Sequence, residues 1–125
     1  MPVLAWALLL FILSSVPGNN YPEVGWRFAD KWVHFALYTP FGILLARWLE
    51  LRWRGSAAVL AGWVYGATDE MHQLWVPRRS CDFADWMIDA IAVVIGAGCF
   101  LMLRRHVSLS ASDFASDQQW NPESP

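Results

Sequence analysis

Apolar positions along the chain gather into four runs separated by short polar punctuation. The first, PVLAWALLLFILSSV at residues 2–16, is closed by Pro17 and Gly18 as a helix stop. The second covers residues 31–49, the third 56–75 and the fourth 83–103. A helix needs about 20 residues to cross the hydrocarbon core, so the last three approach that length and the first is short for it. The first run lacks a basic leader and a clean small-x-small cleavage signal, which favours an uncleaved helix over a signal peptide. From His106 onward the sequence becomes polar and acidic and reads as a disordered tail. The pattern predicts an all-α integral membrane helical bundle of four transmembrane helices in residues 1–105, followed by a tail at 106–125.

Composition agrees. Of 125 residues, 56% are hydrophobic and 16% charged, whereas soluble domains average about 25% charged. A net charge of -2 excludes the basic excess of a nucleic-acid binder. Trp26, Trp32, Trp75 and Trp86 lie near one set of run ends, and Trp48 and Trp53 near the other, as an interfacial belt requires. On one helix, Cys81 and Cys99 would stand about 27 Å apart, too far for a disulfide. Neither has zinc-ligand spacing, and neither metal nor cofactor is expected. Arg47, Arg52, Arg54, Arg104 and Arg105 fall on one side, against Arg27, Lys31, Arg78 and Arg79 on the other. That small bias predicts a multi-pass membrane protein with both termini in the cytoplasm.

Helical periodicity collects the polar residues that such runs would otherwise exclude. Gly62, Gly66, Asp69 and Gln73 form one stripe, with Glu70 beside it. Asp85, Asp89, Ala92 and Gly96 form a second, and Lys31, His34, Tyr38 and Gly42 a third. Each has a small-residue half suited to close packing and a polar half near one membrane face. In an alternating chain all three polar halves meet at one level, joined by Ser14, Ser15 and the loop carrying Arg78, Arg79 and Asp82. Charges facing lipid cost several kcal/mol, so these groups should turn inward. Lys31, Arg78 and Arg79 cannot balance Asp30, Asp69, Glu70, Asp82, Asp85 and Asp89. The excess must be hydrated, protonated, hydrogen-bonded or bound to a cation. The plainer alternative is an Asp–Arg network that only staples helices. His72 reads as an interfacial histidine, and Asp30 and Glu23 as solvated loop charges, with Asp30 also able to cap the second helix.

The segments FILSSVPGNNYPEV, DKWVHFALYTPFGILLA and GATDEMHQLWVPRRSCDFADWMIDAIAVVIG resemble the VanZ-like membrane proteins over residues 9 to about 104. Matching positions are Asp30, Lys31, His34, Phe35, Tyr38, Gly42, Asp69, Glu70, Gln73, Pro77, Arg79, Asp82 and Asp85. The family's pattern has asparagine and glycine where this chain has Asp89 and Ala92. The resemblance implies a small helical bundle in the cytoplasmic membrane. The family is named for a protein linked to resistance against the glycopeptide teicoplanin, which acts on cell-wall precursors.

Three functions are open at this stage. One is an envelope protein whose outer-face cluster of Lys31, His34, Tyr38, Asp69, Glu70, Gln73, Arg79, Asp82 and Asp85 binds a membrane-lipid headgroup or a lipid-linked wall-precursor moiety. Another is an enzyme acting on a lipid-linked substrate, with Asp69 and Glu70 coupled and His34 as general base or joining the carboxylates around a metal. A third is a proton- or ion-coupled transport subunit. No HExxH or GxSxG motif is present.

Overall fold

The computed structural model describes residues 1–18, 29–50 and 55–118, with side chains given up to residue 110. Glu23, Trp26, Arg27, Arg52, Trp53 and Arg54 lie outside the described residues. Four helices are present, α1 (Pro2–Ser14), α2 (Ala29–Glu50), α3 (Gly55–Gln73) and α4 (Phe83–Gln118), and no strand occurs among the described residues. The helical runs of the sequence are therefore recovered within a few residues. One difference is large: α4 continues past Leu103 to Gln118, so the polar segment expected as a disordered tail is helical as far as that residue. Asp30 lies in the first turn of α2 instead of in a loop.

Local chemistry explains the less obvious boundaries. Asp82 caps α4: its Oδ1 accepts from the Ala84 amide at 2.8 Å, and its carbonyl accepts from the Asp85 and Trp86 amides. That amide bond, followed by Lys31 nearby, holds the Asp82 carboxyl below the usual carboxylate range. Pro40 sits inside α2, where it cannot donate to the preceding turn. One residue before it, the Thr39 hydroxyl donates to the Phe35 carbonyl at 2.8 Å.

Contacts fix the topology. Lys31, His34 and Thr39 of α2 meet Asp85, Asp89 and Gly96 of α4 in the same order, so these helices run parallel. α3 runs the other way: its Gly62 meets Val93, while Gly66 meets Asp89 and Trp86. α1 runs alongside α3, with the Tyr65 hydroxyl donating to the Ala7 carbonyl and Ser15 beside His72. The chain alternates direction. α1 spans only about 20 Å and lies against the half of the bundle that carries the polar residues.

Small residues set the crossing of α2 and α4. A Cβ on Gly42 would lie 2.5 Å from the Val93 carbonyl oxygen, and one on Gly96 would collide with the carbonyl of Thr39. A Cβ on Gly62 would come within 2.5 Å of the Val93 side chain. Around this crossing Tyr38, Phe41, Leu45, Ala46, Ala58, Ala92, Val93 and Ala97 are buried, joined by Val3 and Leu10 of α1. Indole groups tie neighbouring helices: Trp6 donates to the Leu37 carbonyl at 2.9 Å, Trp63 to that of Ala90, and Trp86 to that of Trp63.

Many large apolar side chains face outward. Leu4, Leu60, Val64, Trp75 and Met102 are each more than half exposed. By length and composition, one described helix is long and apolar enough to cross a membrane, over the 28 residues Phe83–Ser110 of α4. α1 is apolar but has 13 residues. α2 and α3 fall below the same measure, so of the four expected spans, the first of them short, one meets it among the described residues. The physical reason is their polar content: Asp30, Lys31, His34 and Arg47 are in α2, and Asp69, Glu70, His72 and Gln73 are in α3.

Candidate functional site

At one end of the bundle the polar halves of α2, α3 and α4 converge. Lys31 comes from the first turns of α2, and its Nζ lies 2.5 Å from Asp85 Oδ1 and 3.3 Å from Asp82 Oδ2. Asp30, its exposed neighbour, is at 3.7 Å. One turn deeper, His34 Nδ1 is 3.0 Å from Asp89 Oδ1. Another turn deeper, the Tyr38 hydroxyl donates to Asp69 Oδ2 at 3.1 Å. The α2 stripe thus contacts one carboxylate after another, at the helical spacing that places these side chains on one face.

Glu70 occupies the centre more fully than its flanking place on the stripe suggested, being only 2% exposed. Its Oε2 accepts from the Asp82 amide at 2.9 Å, and Gln73 donates to its Oε1 at 3.5 Å. The end of α3 is thereby tied to the start of α4. Asp69, Gln73, Asp85 and Asp89 are buried too. Asp69 Oδ1 and Asp89 Oδ2 are buried oxygens with no hydrogen-bond partner. Unsatisfied buried acceptors are uncommon and call for an explanation.

A second layer closes the same end. The Gly18 amide donates to the Pro77 carbonyl at 3.1 Å, and Arg79 Nε donates to the Val16 carbonyl at 3.4 Å. Ser15 Oγ and His72 Nε2 are 3.0 Å apart, with Phe11 packed on the imidazole at a centroid distance of 4.6 Å. Arg78 turns the chain with a positive φ of 57°, and a Cβ on Gly18 would strike its carbonyl. SSVPG, far in sequence from the neighbouring DEMHQ and VPRR segments, therefore meets both. The exposed Trp32 and Trp75 stand near this end.

Of the nine residues singled out from sequence, Lys31, Glu70, Gln73, Asp82 and Asp85 are joined by hydrogen bonds, and His34 with Asp89 and Tyr38 with Asp69 pair separately at the same end of the bundle. Arg79 lies in the adjoining layer against α1. His34 pairs with Asp89, which is 1% exposed and lies outside that set. The signal for Asp89 was present: it lies one turn beyond Asp85, on the stripe facing His34. Cys81 and Cys99 form no disulfide, as their spacing implied, and both are exposed.

Chemically, the cluster offers carboxylates to amines, hydroxyls or cations, and Lys31 and Arg79 to an anion. No curated protein and no solved structure matches the chain. The family model described as VanZ/LLP1 matches residues 2–104. Members of this family are membrane-associated. With a match over nearly the full length of the helical bundle, the chain belongs to the VanZ/LLP1 family.

Proposed function

We propose that this chain is a four-span protein of the cytoplasmic membrane whose polar cluster, on the outer face, binds a lipid headgroup or the head of a lipid-linked cell-wall precursor. The observation that carries the reading is the inversion of polarity. Asp69, Glu70, Asp85 and Asp89 are buried, whereas Leu60, Val64, Trp75 and Phe83 face outward. An apolar exterior suits lipid, and ionisable groups turned inward suit a polar guest reached from the interface. α2 and α3 are long enough to cross at 22 and 19 residues, and their polar residues cost little when they face one another. The family's link to teicoplanin, whose targets are wall precursors, makes such precursors the first ligands to try.

Cys81 offers a direct test of face and occupant, because it is exposed and adjoins Asp82. In a Cys99→Ser background, a membrane-impermeant maleimide added to intact cells should label Cys81. A thiol-linked benzophenone at Cys81 should then capture a lipid or precursor through its head. Protection of Cys81 until the cells are opened would reverse the orientation. Capture identical to that from Leu60→Cys, a position 62% exposed on the apolar surface, would remove the headgroup site.

A second reading, a membrane enzyme acting on a lipid-linked substrate, is favoured by one contact. A buried carboxylate, Asp89, lies 3.0 Å from His34 Nδ1, an arrangement that orients an imidazole as a general base. Turnover of labelled precursors or phospholipids by purified protein separates the two readings.

A further inference from the structure

We propose that the cluster holds one divalent transition-metal cation, ligated by His34, Glu70 and Asp85. Each of these residues offers a ligand atom, and the three atoms lie within 4.8 Å of one another. They come from three different helices, so a cation there would clamp α2, α3 and α4 together. Bound zinc draws nitrogen and oxygen ligands to about 2.0–2.2 Å, which sets ligand atoms about 3.3 Å apart. Small side-chain rotations close the difference.

Two further observations point to a cation. First, Asp69 Oδ1 and Asp89 Oδ2 are buried without hydrogen-bond partners, in residues 6% and 1% exposed. Asp89 Oδ2 shares its carbon with the oxygen against His34, so its unpartnered charge sits beside the ligand set. Second, a carboxylate backs the histidine, with Asp89 Oδ1 3.0 Å from His34 Nδ1. With Nδ1–H donating to Asp89 Oδ1, the lone pair of Nε2 is left for a metal, the carboxylate–histidine–metal arrangement of many metal sites. In this chain Asp89 stands where the resembling pattern has asparagine, so its carboxylate adds negative charge behind the histidine.

The ligand set also indicates the class of ion. One imidazole with two carboxylates suits zinc or manganese better than the all-oxygen shells of calcium or magnesium. Lys31 occupies only one oxygen of Asp85. Its positive charge opposes the cation, but Asp69, Glu70, Asp85 and Asp89 are all buried at the same end of the bundle. The proposal does not depend on headgroup binding, because metal occupancy is measured without added lipid.

The test uses the full chain, purified in detergent, stripped with chelator and titrated with zinc chloride. The expected result is one zinc per chain, with an X-ray absorption spectrum of imidazole nitrogen and oxygen and no sulfur. Glu70→Gln and Asp85→Asn should each weaken binding at least tenfold, and Asp89→Asn by about 10–100-fold, the range for outer-shell partners. His106→Ala and Cys81→Ser should leave it unchanged. The wild-type spectrum decides the matter even if a variant unfolds. No zinc retained at 100 μM by folded wild-type protein, sulfur in the coordination shell, or unaltered binding in folded Glu70→Gln would each overturn the assignment.

Discussion

Gly96→Ala should cost about 3 kcal/mol of bundle stability, the upper end of overpacking penalties. The added methyl would land on the carbonyl oxygen of Thr39 and 3.1 Å from the amide nitrogen of Ile43. Both are backbone atoms of α2, so no side-chain rotation relieves the clash and the helices must separate. Separation there also stretches the Lys31–Asp85 and His34–Asp89 contacts, which join the same two helices. Gly98 provides the control: nothing lies within 4 Å of its Cβ position. Gly98→Ala should be neutral or stabilising by up to about 1 kcal/mol, the ordinary helix preference for alanine. Unfolding by SDS titration in mixed micelles measures both. Equal stabilities for the two variants would contradict the close crossing of α2 and α4.

The second large effect is expected at Lys31. Its ammonium group is 2.5 Å from Asp85, which is 9% exposed, and 3.3 Å from Asp82. Removing one partner of a buried pair costs about 3–5 kcal/mol, because the other charge is left uncompensated. The Lys31 side chain is 23% exposed, so solvent softens the loss, and Lys31→Ala should cost about 2–3 kcal/mol. Most of that penalty belongs to the stranded carboxylate. Combining Lys31→Ala with Asp85→Asn should therefore restore part of the stability, and the double variant should be more stable than Lys31→Ala alone. Additive losses in the same SDS titration would mean that the two groups do not share a site.

Most of this arrangement could be read from residue spacing, because a membrane-like composition leaves polar residues few places to go. Gly62, Gly66, Asp69 and Gln73 sit at helical intervals, and each faces α2 or α4 or is buried. The convergence of Lys31, His34 and Tyr38 on carboxylates followed from the same periodicity together with alternating helix direction. What spacing could not give was depth. Glu70 borders its stripe in projection, yet its bond to the Asp82 amide draws it into the centre. That bond depends on the path of the loop between α3 and α4, which no period encodes. Arg79 was placed with the carboxylates because its loop returns to the same end of the bundle; the turn at Arg78 also brings its Nε to the Val16 carbonyl of the chain leaving α1, a contact that loop position alone does not give. The continuation of α4 to Gln118 was hidden by the drop in hydropathy after Leu103. Hydropathy reports where lipid contact ends and carries no information about where helical hydrogen bonding stops.

The central claim, that a ligand head is held by the polar end of the bundle, is tested most directly by what the protein retains on purification. Native mass spectrometry of wild-type chain released gently from membranes should show a bound lipid or lipid-linked precursor. Arg79→Ala combined with Asp82→Ala should lose it while remaining helical and monodisperse. Equal retention by the folded double variant would contradict the account.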